Sequence, residues 1–171
     1  MPQSIKPSVC EEAQFDRVFT QHAEVLRNFI YYKCKDLEQA EDYVQESFLR
    51  LWKNCSKVPF GKAKSFLFKV AQNLFLHQVE HQQVVKKFLL RQEKPIDMEH
   101  PQYQVEEKEL QNRLEAAIAG LSEKQRVVFL LHRMDGKSYK EIAEMLDISV
   151  KSVEKRMHRA LLVLRNCIPQ L

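Results

Sequence analysis

Apolar residues recur at helical spacing along most of the chain, in two blocks. In the first block they run through residues 15–30, 40–52 and 66–85, and the second block begins at Leu110 and continues almost to the C-terminus. Residues at positions i, i+3, i+4 and i+7 share one face of a helix, so the pattern predicts amphipathic helices throughout. We therefore expect an all-α protein.

The stretch between the two blocks has few core-forming residues. Its sequence, RQEKPIDMEHPQYQVEEKE, contains two prolines and many charged residues, which is typical of a flexible connector. We predict two small helical domains joined by a flexible linker. The predicted segments are a disordered N-terminus (1–11), a first domain (12–90), the linker (91–106) and a second domain (107–171).

Local signals divide the second domain into short helices. Ser122 with Gln125, and Ser138 with Glu141, match the capping box, in which side chains satisfy free N–H groups at a helix start. The apolar pattern then breaks at residues 147–149 and resumes immediately. Two short helices joined by such a turn form a helix-turn-helix unit.

The second helix of this unit has an apolar side and a basic side. At about 100° per residue, the apolar side, which we expect to pack on the preceding helix, holds Val150, Val153, Met157, Ala160, Leu161 and Leu164. The other side presents basic residues, and Ser149 caps the helix. Such a helix can enter a major groove. An ordinary helical hairpin with a solvated basic face is the other interpretation.

Charge is distributed unevenly along the first domain. The formal net charge is only +4, but every charge in residues 36–46 is acidic and residues 50–94 are mainly basic. This indicates two different partners, one of them nucleic acid, although a solvated surface could have the same pattern. The loop SKVPFGKAK (56–64) offers Phe60 for stacking a base and lysines for phosphates, unless Phe60 fills the core.

Few features favour catalysis, metal binding or export. The sequence has no Gly-rich phosphate loop and no nucleophile elbow, and its four cysteines lack the close spacing of a zinc or redox motif. We interpret them as reduced thiols. His77 and His81 have no third ligand nearby, so no metal or other cofactor is expected. Without a membrane span or a signal peptide, the chain is expected to be cytoplasmic. Because it lacks the catalytic motifs named above, it is not expected to be an enzyme.

Two parts of the chain resemble bacterial RNA polymerase sigma factors. The segments QAEDYVQESFLRLW (39–52) and SFLFKVAQN (65–73) are similar to region two of that family. The segment LSEKQRVVFLLHRMDGKSYKEIAEMLDISVKSVEKRMHRALLVLR (121–165) is similar to region four. Length and linker resemble the extracytoplasmic-function (ECF) group. His77 and Glu80 stand where many relatives have Asp and Arg, which puts the downstream base preference in doubt.

The resemblance implies a promoter-recognition subunit that binds core RNA polymerase and promoter DNA and helps to melt the duplex. Region four would read the minus-thirty-five duplex through Ser149, Lys151, Ser152, Lys155, Arg156 and Arg159. Region two would hold the single-stranded minus-ten element through Phe60, Lys62, Lys64 and Asn73. The resemblance also implies an anti-sigma partner, often located at the inner membrane, and no small-molecule substrate.

Helical phase places one leucine of the first domain away from the core. Residues 40–53 gather their apolar side chains on one face, whereas Leu49 falls opposite, among Asp42, Gln45 and Glu46. Single exposed leucines are common, but an apolar residue with a polar rim is typical of a protein interface. The resemblance places this helix against polymerase, so we expect these four residues to bind it.

The alternative function is a stand-alone helix-turn-helix regulator whose N-terminal helices sense a ligand or a partner.

Overall fold

The computed structural model describes residues 7–89 and 106–167, and within these ranges the chain forms seven α-helices. This confirms the predicted all-α class. The predicted linker lies outside the described residues, except for Glu106, where α4 begins. The helices are α1 (Glu12–Cys34), α2 (Leu37–Lys53), α3 (Ala63–Leu89), α4 (Glu106–Gly120), α5 (Glu123–Arg133), α6 (Tyr139–Leu146) and α7 (Val150–Cys167).

The N-terminal half is a bundle of α1, α2 and α3. Its centre is aromatic and aliphatic: Phe29 of α1 and Phe68 of α3 are buried with ring centroids 5.2 Å apart, and Leu51 of α2 is fully buried beside them in the same cluster. One residue of the apolar pattern differs from expectation. Phe19 is 48% exposed, although its ring still contacts Phe48 at 4.9 Å.

Side-chain caps start the helices of the C-terminal half, as the sequence predicts. The Ser138 hydroxyl oxygen accepts from the Glu141 N–H at 3.2 Å, and the Glu141 carboxylate accepts from the Ser138 N–H at 2.8 Å. The box at Ser122 is also present. The turn between α6 and α7 is made by Asp147, whose φ of 53° lies in the left-handed region. An Asp tolerates that conformation better than most residues, and it ends α6 abruptly.

The two halves pack against each other along α1 with α5 and α3 with α6. Their buried residues form one hydrophobic cluster, in which Val18 and Leu67 of the first half belong with Val128, Leu131 and Ile142 of the second. A smaller cluster, centred on Leu121 and Leu164, lies between α4 and α7. The sequence pattern predicts the helices of each half but contains no signal for this shared core.

A buried arginine ties the halves together. Arg126 of α5 is 8% exposed, and its guanidinium donates to the Tyr32 carbonyl at 2.8 Å, to the Lys33 carbonyl at 3.5 Å and to the Leu121 carbonyl at 3.0 Å. Two of these carbonyls belong to the last turn of α1, where helix carbonyls lack intrahelical partners and a cation is favourable. Burial lowers the pKa of Arg126, but an arginine stays charged in proteins.

Two further polar contacts cross the same interface. Lys33 forms an ion pair with Glu123 at 2.6 Å, and its ammonium lies 5.0 Å from the Phe29 ring centroid. Asn28 donates to the Asp135 carboxylate at 2.7 Å. Burial beside Asp135 raises the pKa of Tyr32, first through desolvation and then through that carboxylate.

Residues 7–11 correct two expectations from the sequence. The segment is not disordered there, because Val9 is fully buried in the core and Ser8 forms an antiparallel bridge with Pro59. Nor are all four cysteines reduced. Cys10 is joined to Cys55 by a disulfide, whereas Cys34 and Cys167 are free. Local sequence could not reveal either contact, since the partners are 45 or more residues away.

Candidate DNA and polymerase interfaces

Helix α7 presents the predicted recognition surface to solvent. Lys151, Lys155 and Arg159 are exposed, and because they are four residues apart they form a row along the helix. The Ser149 hydroxyl oxygen accepts from the Ser152 N–H at 3.2 Å, which caps the helix at the end of this row. Within residues 7–89 and 106–167, no ion pair occupies these three cations.

The apolar side of α7 holds this surface in place. Val153, Met157, Ala160 and Leu164 are buried and pack towards α4, α5 and α6. Val150 departs from the prediction because it is 40% exposed, at the first position of the helix. The basic row therefore stands on a well-packed helix rather than on a loop.

Arg156 is placed differently from the other predicted DNA contacts. It is half-buried and lines a cavity of about 250 Å³ between the halves, together with Lys33, Gln72 and Glu123 among others. In this arrangement Arg156 faces the interface between the halves more than the open surface.

The loop before α3 presents two of the predicted single-strand contacts, Phe60 and Lys62. Its residues Phe60–Lys62 form a 3-10 turn, in which the Lys62 N–H donates to the Pro59 carbonyl at 2.8 Å. Lys62 is exposed, whereas Phe60 is half-buried and packs against the core. A cation is thus presented to solvent beside an aromatic ring that is still partly covered.

Asn73 lies in a groove between α3 and α6. The groove has a volume of about 350 Å³ and is lined from α3 by Lys69, Gln72 and Asn73 and from the other side by Glu144 and Asp147, among others. Asn73 itself is exposed. Both acidic residues would repel a nucleic-acid phosphate that entered the groove in this arrangement.

The structure does not bring all four predicted single-strand contacts together. Lys64 and Asn73 are nine residues apart on α3, which places them on nearly opposite sides of that helix. Lys64 is instead near His22 and Glu141. Burial is the larger cause of the lowered pKa of His22, and the Lys64 charge adds to it. Hydrogen bonds from Ser138 are the main cause of the lowered pKa of Glu141, and the charges of Lys137 and Lys64 lower it further. Phe60 and Lys62 belong to the loop and Asn73 to the groove.

Helix α2 presents the predicted polymerase-binding face. Leu49 is 53% exposed, and Asp42 and Gln45, which precede it by seven and four residues, are exposed on the same side. Glu46 is half-buried and pairs with Arg50 at 2.7 Å. The buried face of α2 holds Ala40, Val44, Ser47, Phe48 and Leu51, so the helical phase derived from the sequence is confirmed.

Two absences complete the description of these surfaces. No group of three or more His, Cys, Asp or Glu residues in the described part of the chain could hold a metal ion. Among the described helices, none combines the length and the apolar character needed to cross a membrane.

Family models match both halves of the chain. The model for Sigma-70 region 2 matches residues 18–85, and the model for Sigma-70, region 4 matches residues 111–164. The two matches together cover more than half of the 171 residues.

The chain belongs to the sigma-70 family.

Individual relatives place this sigma factor in the ECF group. It is 26% identical over 155 residues to the ECF RNA polymerase sigma factor SigE of Mycolicibacterium smegmatis, covering 89% of this chain and 60% of SigE. It is 26% identical to SigW of Bacillus subtilis over the full length of both. The sigma factor RpoE of Bartonella quintana, solved with the anti-sigma factor NepR, is 22% identical and shares the fold with a TM-score of 0.65 over 91% of this chain and 97% of RpoE.

Family membership identifies the sigma factor as a promoter-recognition subunit of RNA polymerase that acts in transcription initiation. Region two corresponds to α1–α3 and region four to α4–α7. The stand-alone regulator is not favoured, because the chain carries both regions in the order of the family.

Sequence reasoning missed several residues that line these surfaces. Lys69 shares the groove with Asn73, and their spacing of four residues on one helix was a signal that could have revealed it. Phe19, with Glu24 and Gln45 among others, lines a cavity of about 530 Å³ beside the α2 face. Phe19 carried no signal of this kind, because it fits the apolar stripe of α1 as well as any core residue.

Proposed function

We propose that this sigma factor binds core RNA polymerase through Asp42, Gln45, Glu46 and Leu49. In this proposal it reads upstream duplex DNA with α7 and captures the downstream single strand with the loop before α3 and with Asn73. It acts in the cytoplasm by binding, with no catalytic activity of its own. The exposure of Leu49 within a polar face of α2 is the observation that carries the polymerase-binding part of this proposal.

The energetics of protein interfaces support the α2 assignment. A few central apolar residues, surrounded by a polar rim that excludes water, contribute most of the binding energy in such interfaces. Leu49 has this setting, with Asp42 and Gln45 exposed beside it. Because Leu49 is 53% exposed and lies outside the core in the free chain, its replacement should affect binding far more than folding.

An aspartate at position 49 tests the assignment. Leu49→Asp should weaken binding to core polymerase by about 2 kcal/mol or more, as expected for loss of a central anchor, with an unchanged melting temperature. Leu37→Asp is the matched control, because Leu37 is 52% exposed on the same helix but outside this face. A folded Leu49→Asp variant that binds polymerase as tightly as wild type would place the interface elsewhere.

The two DNA contacts require different states of the chain. The basic row of α7 is exposed in the present arrangement, so we propose that it can meet phosphates and base edges of a duplex directly. Asn73 faces Glu144 and Asp147 across its groove. We propose that α6 moves away from α3 before the single strand enters, since a phosphate would otherwise approach two carboxylates.

An anti-sigma factor is a further proposed partner, as in the complex of the Bartonella RpoE with NepR. The competing hypothesis, a regulator that acts alone, predicts binding to DNA without any response to polymerase. Adding the purified chain to core polymerase free of other sigma factors separates the two hypotheses. Promoter-dependent transcription supports a sigma factor, and DNA binding that polymerase does not change supports the regulator.

A further inference from the structure

Residues 7–11 hold the loop before α3 at two points and are themselves anchored in the core. The Cys10 and Cys55 sulfurs form a disulfide, with 5.0 Å between the Cα atoms. Ser8 forms a bridge with Pro59, and Val9 is fully buried in the core. The loop is therefore restrained both at its beginning and near its middle by a segment that precedes α1.

The same segment lies beside part of the loop. A cavity of about 410 Å³ lies between them, lined by Pro7, Ser8 and residues 55–61. Phe60 is half-buried and packs against the core cluster that contains Val9. A base can stack only on an aromatic face that is open, so the loop has to give up part of this packing before Phe60 can receive one.

The disulfide is accessible to thiols from solvent. Cys10 is exposed and Cys55 is half-buried. Cys34 is a weaker participant in exchange, because burial raises the pKa of its thiol and its S–H donates to the Asp36 carbonyl at 3.1 Å. Thiolates, rather than thiols, carry out exchange, which favours the Cys10–Cys55 pair over Cys34.

We propose that Cys10 and Cys55 form a thiol–disulfide switch that controls single-strand binding by the loop of residues 56–64. The inference rests on the function proposed above for that loop. With the disulfide closed, the N-terminal segment keeps the loop in the position in which Phe60 packs against the core. With it reduced, the loop is held by non-covalent contacts alone and opens to bind the strand.

Reduction consumes two equivalents of a small thiol. The first thiolate attacks the Cys10 sulfur, forms a mixed disulfide and releases Cys55 as a thiolate. The second thiolate attacks the sulfur of the small molecule, which releases Cys10. Two electrons pass to the protein, the two thiol protons end on Cys10 and Cys55, and one small-molecule disulfide is formed. Oxidation by a small disulfide such as glutathione disulfide reverses the same steps.

Binding of a fork DNA tests the switch. The full chain with core polymerase is titrated with a fluorescent fork DNA that carries a single-stranded, thymine-rich extension, after treatment with dithiothreitol or with glutathione disulfide. Reduction should raise affinity about fivefold, the lower end of what stacking of one base contributes. Cys10→Ser should bind with the higher affinity under both treatments. The control, Cys34→Ser with Cys167→Ser, should respond to the treatments as wild type does.

Two readouts separate failure of the switch from failure of the loop assignment. Alkylation with mass spectrometry should find Cys10 and Cys55 blocked only in the oxidised chain, and free thiols there would overturn the inference. Equal affinities for the fork DNA before and after reduction would also overturn the inference. In that case, if Phe60→Ala still lowers the affinity for the fork DNA, the proposed function of the loop stands. A redox effect that persists in Phe60→Ala would support the switch while contradicting Phe60 as the stacking residue.

Discussion

The two surfaces proposed to bind DNA in this sigma factor are built in different ways. The upstream surface stands on one helix, α7, whose cap at Ser149 and buried residues lie within the same short stretch of sequence. The downstream surface is assembled from distant parts of the chain. Its loop is held by residues 7–11, and its groove is closed on one side by α6.

Because of this difference, the proposed single-strand binding depends on contacts with the rest of the molecule, whereas the proposed duplex binding does not. A surface on a single well-packed helix is ready to bind as soon as the helix is folded. A surface formed between distant segments changes whenever those segments move, so it can respond to polymerase, to a partner or to redox state. We therefore expect variants at the contacts between the halves to affect the downstream surface and to leave the upstream surface intact.

The largest effect on stability should come from Arg126, which joins the halves. Arg126→Met removes the donor for the carbonyls of Tyr32, Lys33 and Leu121, which are partly or fully buried. Hydrogen bonds from charged groups contribute about 1.5–3 kcal/mol each, so urea unfolding should show a loss of about 3 kcal/mol. Arg133→Met, at an exposed position of the same helix, is the control. A loss similar to that of the control would show that the buried guanidinium does not stabilise the interface.

Loss of two exposed cations of the basic row should weaken the upstream surface alone. In holoenzyme, Lys155→Ala with Arg159→Ala, both exposed on α7, should reduce affinity for duplex promoter DNA by about 1–3 kcal/mol where a base contact is lost, and flatten the salt dependence where a phosphate contact is lost. Binding to single-stranded extensions should not change. Unaltered duplex binding by the folded variant would remove α7 from the recognition surface.

A smaller effect is expected from the cap of α6. Ser138→Ala leaves the Glu141 N–H without its acceptor and should cost about 1 kcal/mol of unfolding free energy, as for other serine caps. Ser56→Ala, an exposed serine outside any helix, should be nearly neutral. If both variants unfold at the same urea concentration, the cap is not what starts α6.

The smallest expected effect is on the pH dependence of folding stability. Burial, with Lys64 and Lys137 nearby, lowers the pKa of His22 from its ordinary value of 6.5. Below that value the unfolded chain binds more protons than the folded chain, so stability should fall as the pH drops from about 6.5 towards the folded pKa. His22→Gln should remove this part of the pH dependence in urea titrations. An identical pH profile in the variant would mean that His22 titrates alike in both states.

The sequence predicts the features that depend on local contacts but not those that depend on distant ones. The caps at Ser122, Ser138 and Ser149 and the exposure of Leu49 depend on neighbours within one or two helical turns, and all were predicted. The roles of Arg126 and Val9 depend on partners far along the chain, and a single sequence contains no local sign of them. Phe19 fits the stripe of α1, so its exposure could be seen only once α2 was in place.

Thymine reactivity towards permanganate, in promoter complexes formed with core polymerase and no other sigma factor, tests the central claim most directly. The wild-type chain should make thymines of the downstream element reactive. The variant with Phe60→Ala and Asn73→Ala should bind polymerase and upstream duplex normally yet leave those thymines protected, because a captured base loses its stacking and amide partners. Wild-type reactivity in that variant would contradict the assignment of the downstream surface.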